Sequence, residues 1–322
     1  MKAVQFYNYG NPDVLIYEDI DEPNLGTDEV LIKVSKAGVN FSDIYQRSGV
    51  NPVSNLPYVL GQEGAGIVVA SKNNVFKIGD RVAWISSNGS YAEYIKISDH
   101  RLVHIPEDIS EELAASCLMQ GITAQYLSTS TYQINDKTIA FVHAGAGGVG
   151  SILIQMLKNK GAKVITTVSS SKKIPLVQSL GADLVIQTDI EDFVQKTRDY
   201  TNGKGVDVVY DSIGLTTYER SISLVRPLGT FVLFGQSSGK VPPIDPMLFS
   251  KQGSIFFTRP TLATHIAKQE EFQKRALEVF EYIRNKKINI TISRMFPLEQ
   301  AVDAHRALES RETTGKILLT VK

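Results

Sequence analysis

The sequence predicts a two-domain α/β protein, a β-rich domain joined to a parallel sheet with helices on both faces. At 322 residues the chain exceeds what one hydrophobic core usually serves, so two domains of roughly 100–200 residues each are expected. Over about the first 120 residues, short runs rich in Val, Ile and Tyr are bounded by Gly, Asn, Asp and Ser, without a long 3.6-residue period. From about Gly121 onward strands alternate with helices, the signature of a sheet buried on both faces.

Taken in order, DEVLIKVSKAGVN, EGAGIVVAS, GDRVAWI and SYAEYIKI read as strands of the first domain, and residues 111–126 as an apolar helix. Six further strands follow: KTIAFVHA, AKVITTV, ADLVIQT, VDVVYDSI, GTFVLFG and SIFFTRP. Several are continuous apolar runs, as strands covered on both faces require. Between the first two of these, SILIQMLKNK places Ile152, Leu153, Met156 and Leu157 on one helical face. After Pro260 come two amphipathic helices, EEFQKRALEVFEYIRNK and LEQAVDAHRALES, and a last strand, KILLTV, expected to return to the first domain. The expected boundaries are 1–122 and 261–322 for the β-rich domain and 123–260 for the parallel sheet.

Lys plus Arg equals Asp plus Glu at 34 each, with no block of either sign, so composition argues against nucleic acid or anionic lipid and favours a small-molecule partner. No apolar h-region follows the amino terminus and no run of about eighteen apolar residues occurs, so the expected location is cytoplasmic. The single cysteine, Cys117, excludes an internal disulfide and a thiolate-rich metal site, and its apolar surroundings assign it to packing.

The most informative segment is Val142-His143-Ala144-Gly145-Ala146-Gly147-Gly148-Val149-Gly150, because it joins an apolar strand to an amphipathic helix. In a GxGxxG turn the first glycine is expected to take a positive φ, the second to admit a pyrophosphate, and the third to let the helix pack closely on its strand. Gly145, Gly147 and Gly150 hold these positions. A helix starting near Gly148 would aim free N–H groups and its positive dipole end at phosphates. The choice of dinucleotide is made at the end of the second strand, where NAD enzymes place an acidic side chain on the ribose. Here that strand runs into Val168-Ser169-Ser170-Ser171-Lys172-Lys173, with no Asp or Glu. Hydroxyls and ammonium groups suit a 2′-phosphate, so NADPH is expected over NADH.

Asn40-Phe41-Ser42-Asp43-Ile44-Tyr45-Gln46-Arg47-Ser48-Gly49, Gly61-Gln62-Glu63-Gly64-Ala65-Gly66, HAGAGGVG, Tyr210-Asp211-Ser212-Ile213-Gly214, Phe234-Gly235-Gln236-Ser237-Ser238-Gly239 and Thr258-Arg259-Pro260 resemble the quinone oxidoreductases. These include ζ-crystallin and belong to the zinc-independent branch of the medium-chain dehydrogenase/reductase superfamily. The likeness runs along almost the whole chain. It implies a GroES-like catalytic domain interrupted by a Rossmann domain, with substrate in the cleft between them. It also implies NADPH contacts at Gly147, Gly148, Val149 and Gly150 on the pyrophosphate and at Ser170 and Lys173 near the 2′-phosphate. Further contacts carry over to Thr123, Ser212, Phe234, Gly235, Ser237 and Arg311. Asn40, Asp43 and Tyr45 match residues lining the nicotinamide and substrate pocket. Two family tyrosines are replaced, by Asn51 and Thr188, and the first makes the implied substrate pocket less aromatic.

Zinc members of the superfamily use Cys and His ligands, including a histidine in Gly-His-Glu. This chain has Gly61-Gln62-Glu63, and His100, His104 and His143 read as structural or surface residues, so no metal is expected. A quinone or conjugated carbonyl is already electrophilic and spreads the arriving negative charge, so modest donors suffice where a simple ketone needs a Lewis acid. The Tyr45 hydroxyl and the Asn40 amide are expected to hydrogen-bond the substrate or hold the nicotinamide, Asp43 to orient them, and solvent to deliver the last proton. For Asp43 a capping role beside Ser42 stays open. Two other functions stay open as well: reduction of 2-enals, enones or enoyl thioesters, and crystallin-like or RNA-binding retention of NADPH without turnover. The segment Gly253-Ser254-Ile255-Phe256-Phe257-Thr258 would form an exposed apolar sheet edge that invites pairing with a second copy, and family members dimerise this way, so a homodimer is expected.

Overall fold

The computed structural model describes Met1–Lys322, with Asp99 described by its backbone alone. The chain divides into two compact units. The first holds Met1–Ile122, Ile266–Asn285 and Ile290–Lys322, and the second holds Thr123–His265 and Lys286–Asn289.

The first unit begins with β1 (Lys2–Phe6), β2 (Ile16–Asp19), β3 (Glu29–Val39), α1 (Phe41–Arg47), β4 (Tyr58–Val59), β5 (Glu63–Ser71), β6 (Arg81–Ile85), β7 (Tyr94–Ser98), β8 (Leu102–His104) and the start of α2 (Glu111–Thr129). In β3, Val30, Ile32 and Val34 point into the core while the alternating Lys33 faces water, the two-residue period of a half-buried strand. Around these side chains gather Phe6, Leu60, Val82, Trp84, Tyr91 and Leu319. α2 buries Ala114, Ala115, Cys117, Leu118 and Ile122, and a helix apolar all round belongs inside. Cys117 therefore packs, and burial pushes its thiol well above the usual range.

The second unit contains β9 (Ile139–Val142), α3 (Gly148–Asn159), β10 (Lys163–Val168), α4 (Ile174–Ser179), β11 (Leu184–Gln187), α5 (Phe193–Tyr200), β12 (Val206–Asp211), α6 (Tyr218–Leu224), β13 (Val225–Leu233), α7 (Met247–Lys251), β14 (Phe256–Thr258) and α8 (Leu262–His265). All six expected strands are present and form one parallel sheet in the order β11-β10-β9-β12-β13-β14. That order reverses between β9 and β12, and ligands of such sheets bind beyond the carboxyl ends of the strands at this reversal. Phe141, Ile165, Val209, Ile222 and Phe231 fill its core.

The chain then returns to the first unit through α9 (Gln269–Arg284), β15 (Ile292–Pro297), α10 (Ala301–Glu309) and β16 (Lys316–Thr320). β16 pairs antiparallel with β3, Ile317 opposite Val39, and this completes a seven-stranded sheet. β15 lies parallel to β16 and was not expected, because ISRMFP is short and half-exposed, with no alternation to mark it.

Candidate active site

The nucleotide loop closes the β9–α3 connection as a tight turn, with Gly145 N–H donating to the Thr167 carbonyl (3.0 Å) and Gly147 N–H to that of Ala144 (2.9 Å). One detail corrects the sequence reading. The left-handed residue is Ala144, at φ 53°, and not Gly145. Gly145 is required by crowding instead, since a Cβ there would lie 2.0 Å from Thr166 Oγ1 and 2.9 Å from the Ile154 side chain. At Gly150 a Cβ would lie 2.4 Å from the Ala144 carbonyl oxygen, so this glycine does let the helix sit tightly on its turn. α3 starts at Gly148 with Gly147 as its cap, without an acidic residue in the first turn and without a side-chain cap. Its first-turn amides thus keep their positive end open. At the end of β10, Ser170 precedes a 3₁₀ turn, Ser171–Lys173, that presents Lys172 and Lys173. Thr188 spends both its N–H (3.0 Å) and its hydroxyl (3.2 Å) on the Val168 carbonyl.

The end of β12 is equally ordered. Asp211 accepts from the N–H groups of Ile213 (2.8 Å) and Gly214 (3.0 Å) and from the hydroxyls of Thr217 and Ser221 (each 2.8 Å to Oδ2). Phe234 N–H donates to the Asp211 carbonyl (2.9 Å) and Ser237 N–H to that of Ser212 (3.2 Å). A Cβ on Gly235 would lie 2.5 Å from the Ser212 carbonyl oxygen. Ser212, Phe234, Gly235 and Ser237 are therefore brought together. His143, expected to be packing, is packed but also hydrogen-bonded, Nδ1 to Thr167 Oγ1 (3.1 Å) and Nε2 to Ser221 Oγ (2.9 Å). Burial holds it below the usual histidine range, with the Asp211 carboxylate opposing that shift. Thr123 is buried on α2. In the first unit, Arg311 is exposed just after α10, at φ 59°. An uncapped helix start with no carboxylate, adjoining hydroxyls and ammonium groups, fits a phosphorylated dinucleotide.

In the first unit, α1 carries Asp43 and Tyr45, and Asn40 stands immediately before it. The Asn40 amide is wholly engaged by protein. Its oxygen accepts from Lys316 Nζ (2.8 Å) and Gln120 Nε2 (2.7 Å), and its nitrogen donates to Glu63 Oε2 (3.0 Å) and the Gly38 carbonyl (3.2 Å). Lys316 also donates to Glu63 Oε2 (2.5 Å) and Gln120 Oε1 (3.1 Å), while Met119 N–H donates to Glu63 Oε1 (2.7 Å). This buried ion pair is flush against β3, because a Cβ on Gly38 would meet Glu63 at 2.5 Å and Lys316 at 2.9 Å.

Asp43 has no solvent exposure. Its Oδ2 accepts from Asn40 N–H (2.9 Å) and from the Tyr91 hydroxyl (2.9 Å), so the capping arrangement is present and is tied into a wider network. Burial drives its carboxyl from 3.8 up to about 7, against these two donors and the Lys316 charge. Tyr45 is half-buried, its ring centre 6.2 Å from that of Phe41 and its carbonyl accepting Asn51 N–H (2.9 Å). Sequence reasoning missed Lys316, Gln120, Tyr91, His305 and Arg47. The one available signal was Lys316 opening an otherwise apolar strand, since a lysine there must find an anion if the strand is buried.

His104 is exposed and stacks on Phe76 (4.6 Å), as a surface histidine would. Among the described residues, no group of three or more His, Cys, Asp or Glu is placed to hold a metal ion. Likewise, no helix is long and apolar enough to cross a membrane.

These two sites, on a GroES-like unit and a Rossmann sheet, define a zinc-independent oxidoreductase of the medium-chain dehydrogenase/reductase superfamily. Residues 26–107 match the family model described as an alcohol dehydrogenase GroES-like domain, and residues 148–281 the one described as a zinc-binding dehydrogenase. The chain belongs to the quinone oxidoreductase family. It is 40% identical to the quinone oxidoreductase of Pseudomonas aeruginosa over 99% of both chains. The crystal structure of Escherichia coli quinone oxidoreductase complexed with NADPH superposes with a TM-score of 0.97 at 37% identity, covering 99% of this chain and 100% of that one. A 2-haloacrylate reductase from Burkholderia sp. is 32% identical over 98% of both chains.

Proposed function

We propose that this protein is an NADPH-dependent quinone reductase. The observation that carries the reading is the β10 terminus, where hydroxyls and two lysines occupy the place of an NAD-selecting carboxylate, beside an uncapped α3. NADPH, when bound, supplies the hydride. Gly147, Gly148, Val149 and Gly150 would hold the pyrophosphate, Ser170 and Lys173 the 2′-phosphate, and Thr123, Ser212, Phe234, Gly235, Ser237 and Arg311 the rest of the nucleotide. The Tyr45 hydroxyl is the donor assigned to the acceptor oxygen. Asn40 and Asp43, engaged by protein on every side, act by fixing the α1 terminus that presents Tyr45. Solvent delivers the final proton.

Steady-state oxidation of NADPH and of NADH with a panel of quinones and 2-enals tests this. The expected result is turnover with quinones and a strong preference for NADPH. Tight NADPH binding without turnover on any acceptor would overturn it.

A second reading, reduction of a carbon–carbon double bond conjugated to a carbonyl, is favoured by the kinship with 2-haloacrylate reductase, and the enal arm of the panel reads it out. A homodimer through the sheet edge at β14 also belongs to the proposal. Phe256 is 65% and Phe257 40% exposed on a strand paired on one side only, an apolar edge of the kind that seeks a partner. Light scattering at micromolar concentration distinguishes dimer from monomer. A cytoplasmic location also belongs to the proposal, since a chain with a single cysteine forms no internal disulfide and so suits a reducing compartment.

A further inference from the structure

Behind Asp43 runs a chain of buried polar groups that the reaction above does not use. Glu309, at the end of α10 and 33% exposed, accepts from both terminal nitrogens of Arg47 (2.7 and 3.2 Å). Arg47 is buried on α1, with its Nε donating to the Gly10 carbonyl (3.2 Å) and Nη1 lying 3.1 Å from His305 Nδ1. His305 Nε2 lies 3.2 Å from the Tyr91 hydroxyl, and the two rings meet edge to face at 90°. Tyr91 then reaches Asp43 Oδ2 at 2.9 Å.

The direction of every hydrogen in this chain follows from one fact. A guanidinium only donates and does not give up its charge. His305 Nδ1, facing Arg47, must therefore be the bare nitrogen, and the hydrogen of the neutral ring sits on Nε2. Burial and the Arg47 charge keep the ring neutral, down to about pH 3. Nε2–H must donate to the Tyr91 oxygen, which leaves the Tyr91 hydrogen free to point only at Asp43. Since Oδ2 already receives Tyr91 and Asn40 N–H, a proton taken up by Asp43 goes to Oδ1.

We propose that Arg47, His305 and Tyr91 form a polarity-setting chain of positioning residues, which holds Asp43 as a hydrogen-bond acceptor and thereby locks the Asn40 end of α1. It is not a proton conduit, because its outer member never releases a proton, and this agrees with solvent as the source of the last proton. The inference rests on the reading of Asn40 and Asp43 as supports of Tyr45, but its test does not require turnover.

The test is a carboxyl titration by NMR of the full-length protein carrying 13C-labelled aspartate, with Asp43→Asn identifying the resonance. Asp43 is also faced by Lys316, Glu63 and Tyr58, none of them altered in the variants below. Tyr91→Phe keeps the ring and removes the donor, so the Asp43 midpoint should move up by about one pH unit. His305→Leu should move it the same way, whereas His305→Gln, whose carbonyl accepts from Arg47 while its amide donates to Tyr91, should restore the wild-type midpoint. Where wild type reduces a quinone, the pH profile of kcat/KM should follow the same pattern across these variants. An unmoved midpoint in folded Tyr91→Phe, or equal shifts in His305→Leu and His305→Gln, would overturn the chain. Absence of quinone turnover with the midpoint shifts intact would instead overturn the functional reading and leave the chain standing.

Discussion

Lys316 Nζ lies 2.5 Å from Glu63 Oε2, and neither side chain is more than 2% exposed. The pair joins the last strand of the chain to the start of β5, with Asn40 and Gln120 completing its hydrogen bonds. Removing one member strands the other as a buried charge, which typically costs about 3–5 kcal/mol, while replacing both is far milder. Glu63→Gln and Lys316→Met should each lower the denaturation midpoint strongly, and the double variant should recover much of the loss. Urea unfolding of the four proteins reads this directly. Additive losses would mean that the two charges do not act as a pair.

The turn at Ala144 and Gly145 makes opposite demands of neighbouring positions. Ala144 sits at φ 53°, where a side chain costs roughly 1 kcal/mol, so Ala144→Gly should be neutral or stabilising. Gly145→Ala should destabilise and weaken NADPH binding, because its Cβ would be driven into Thr166. Thermal melts with and without NADPH check both, and tolerance of alanine at 145 would contradict the crowding.

Selection of the phosphorylated cofactor should be removable at the end of β10. Charge-assisted contacts to a phosphate are worth about 1.5–3 kcal/mol, so Lys173→Glu should raise the KM for NADPH by ten-fold or more and leave that for NADH little changed. A parallel rise for both cofactors would assign Lys173 to general stability.

Two buried groups bind protons with opposite consequences for stability. His305 falls from 6.5 unfolded to about 3 folded, so its contribution is present above pH 6.5 and is lost as pH falls toward 3. Asp43 rises from 3.8 to about 7, so its contribution is present below pH 3.8 and is lost as pH rises toward 7. Between these limits they oppose, and His143, also held low, adds to the acid-side loss. His305→Gln should flatten the fall in melting temperature between about pH 6.5 and 4, and Asp43→Asn should steepen it. Melting curves across that range decide the sign.

Removing the Tyr45 hydroxyl tests the donor assigned to the acceptor. Tyr45→Phe should lower kcat/KM for quinone by about ten-fold, the worth of one hydrogen bond of about 1.4 kcal/mol to developing charge, with NADPH affinity unchanged. A change within about twofold would remove Tyr45 from the chemistry.

The second unit was legible because its signals are local. Continuous apolar strands, a glycine turn between strand and helix, and the absence of a carboxylate after Val168 all lie within short stretches of chain. The polar cluster was not, because Asn40, Glu63, Gln120 and Lys316 come from four distant segments, and no periodicity announces which charge meets which. Asn40 and Asp43 were found through family likeness, and Arg47 lies in the same segment with no role attached to it, whereas Tyr91 and His305 lie in stretches that read as strand and amphipathic helix. The φ at Ala144 was misplaced for a related reason, since glycine marks both left-handed bends and close approaches, and only coordinates separate them.

Lys316 is balanced by Glu63 and Arg47 by Glu309, so each of these two buried cations beside α1 has its own carboxylate. Salt screens a buried pair far less than an exposed one, so the Lys316–Glu63 bond outlasts a rise in ionic strength that loosens a surface pair such as Lys2–Asp19. The closing strand thus stays fastened to its sheet under conditions that strip the surface of electrostatic support.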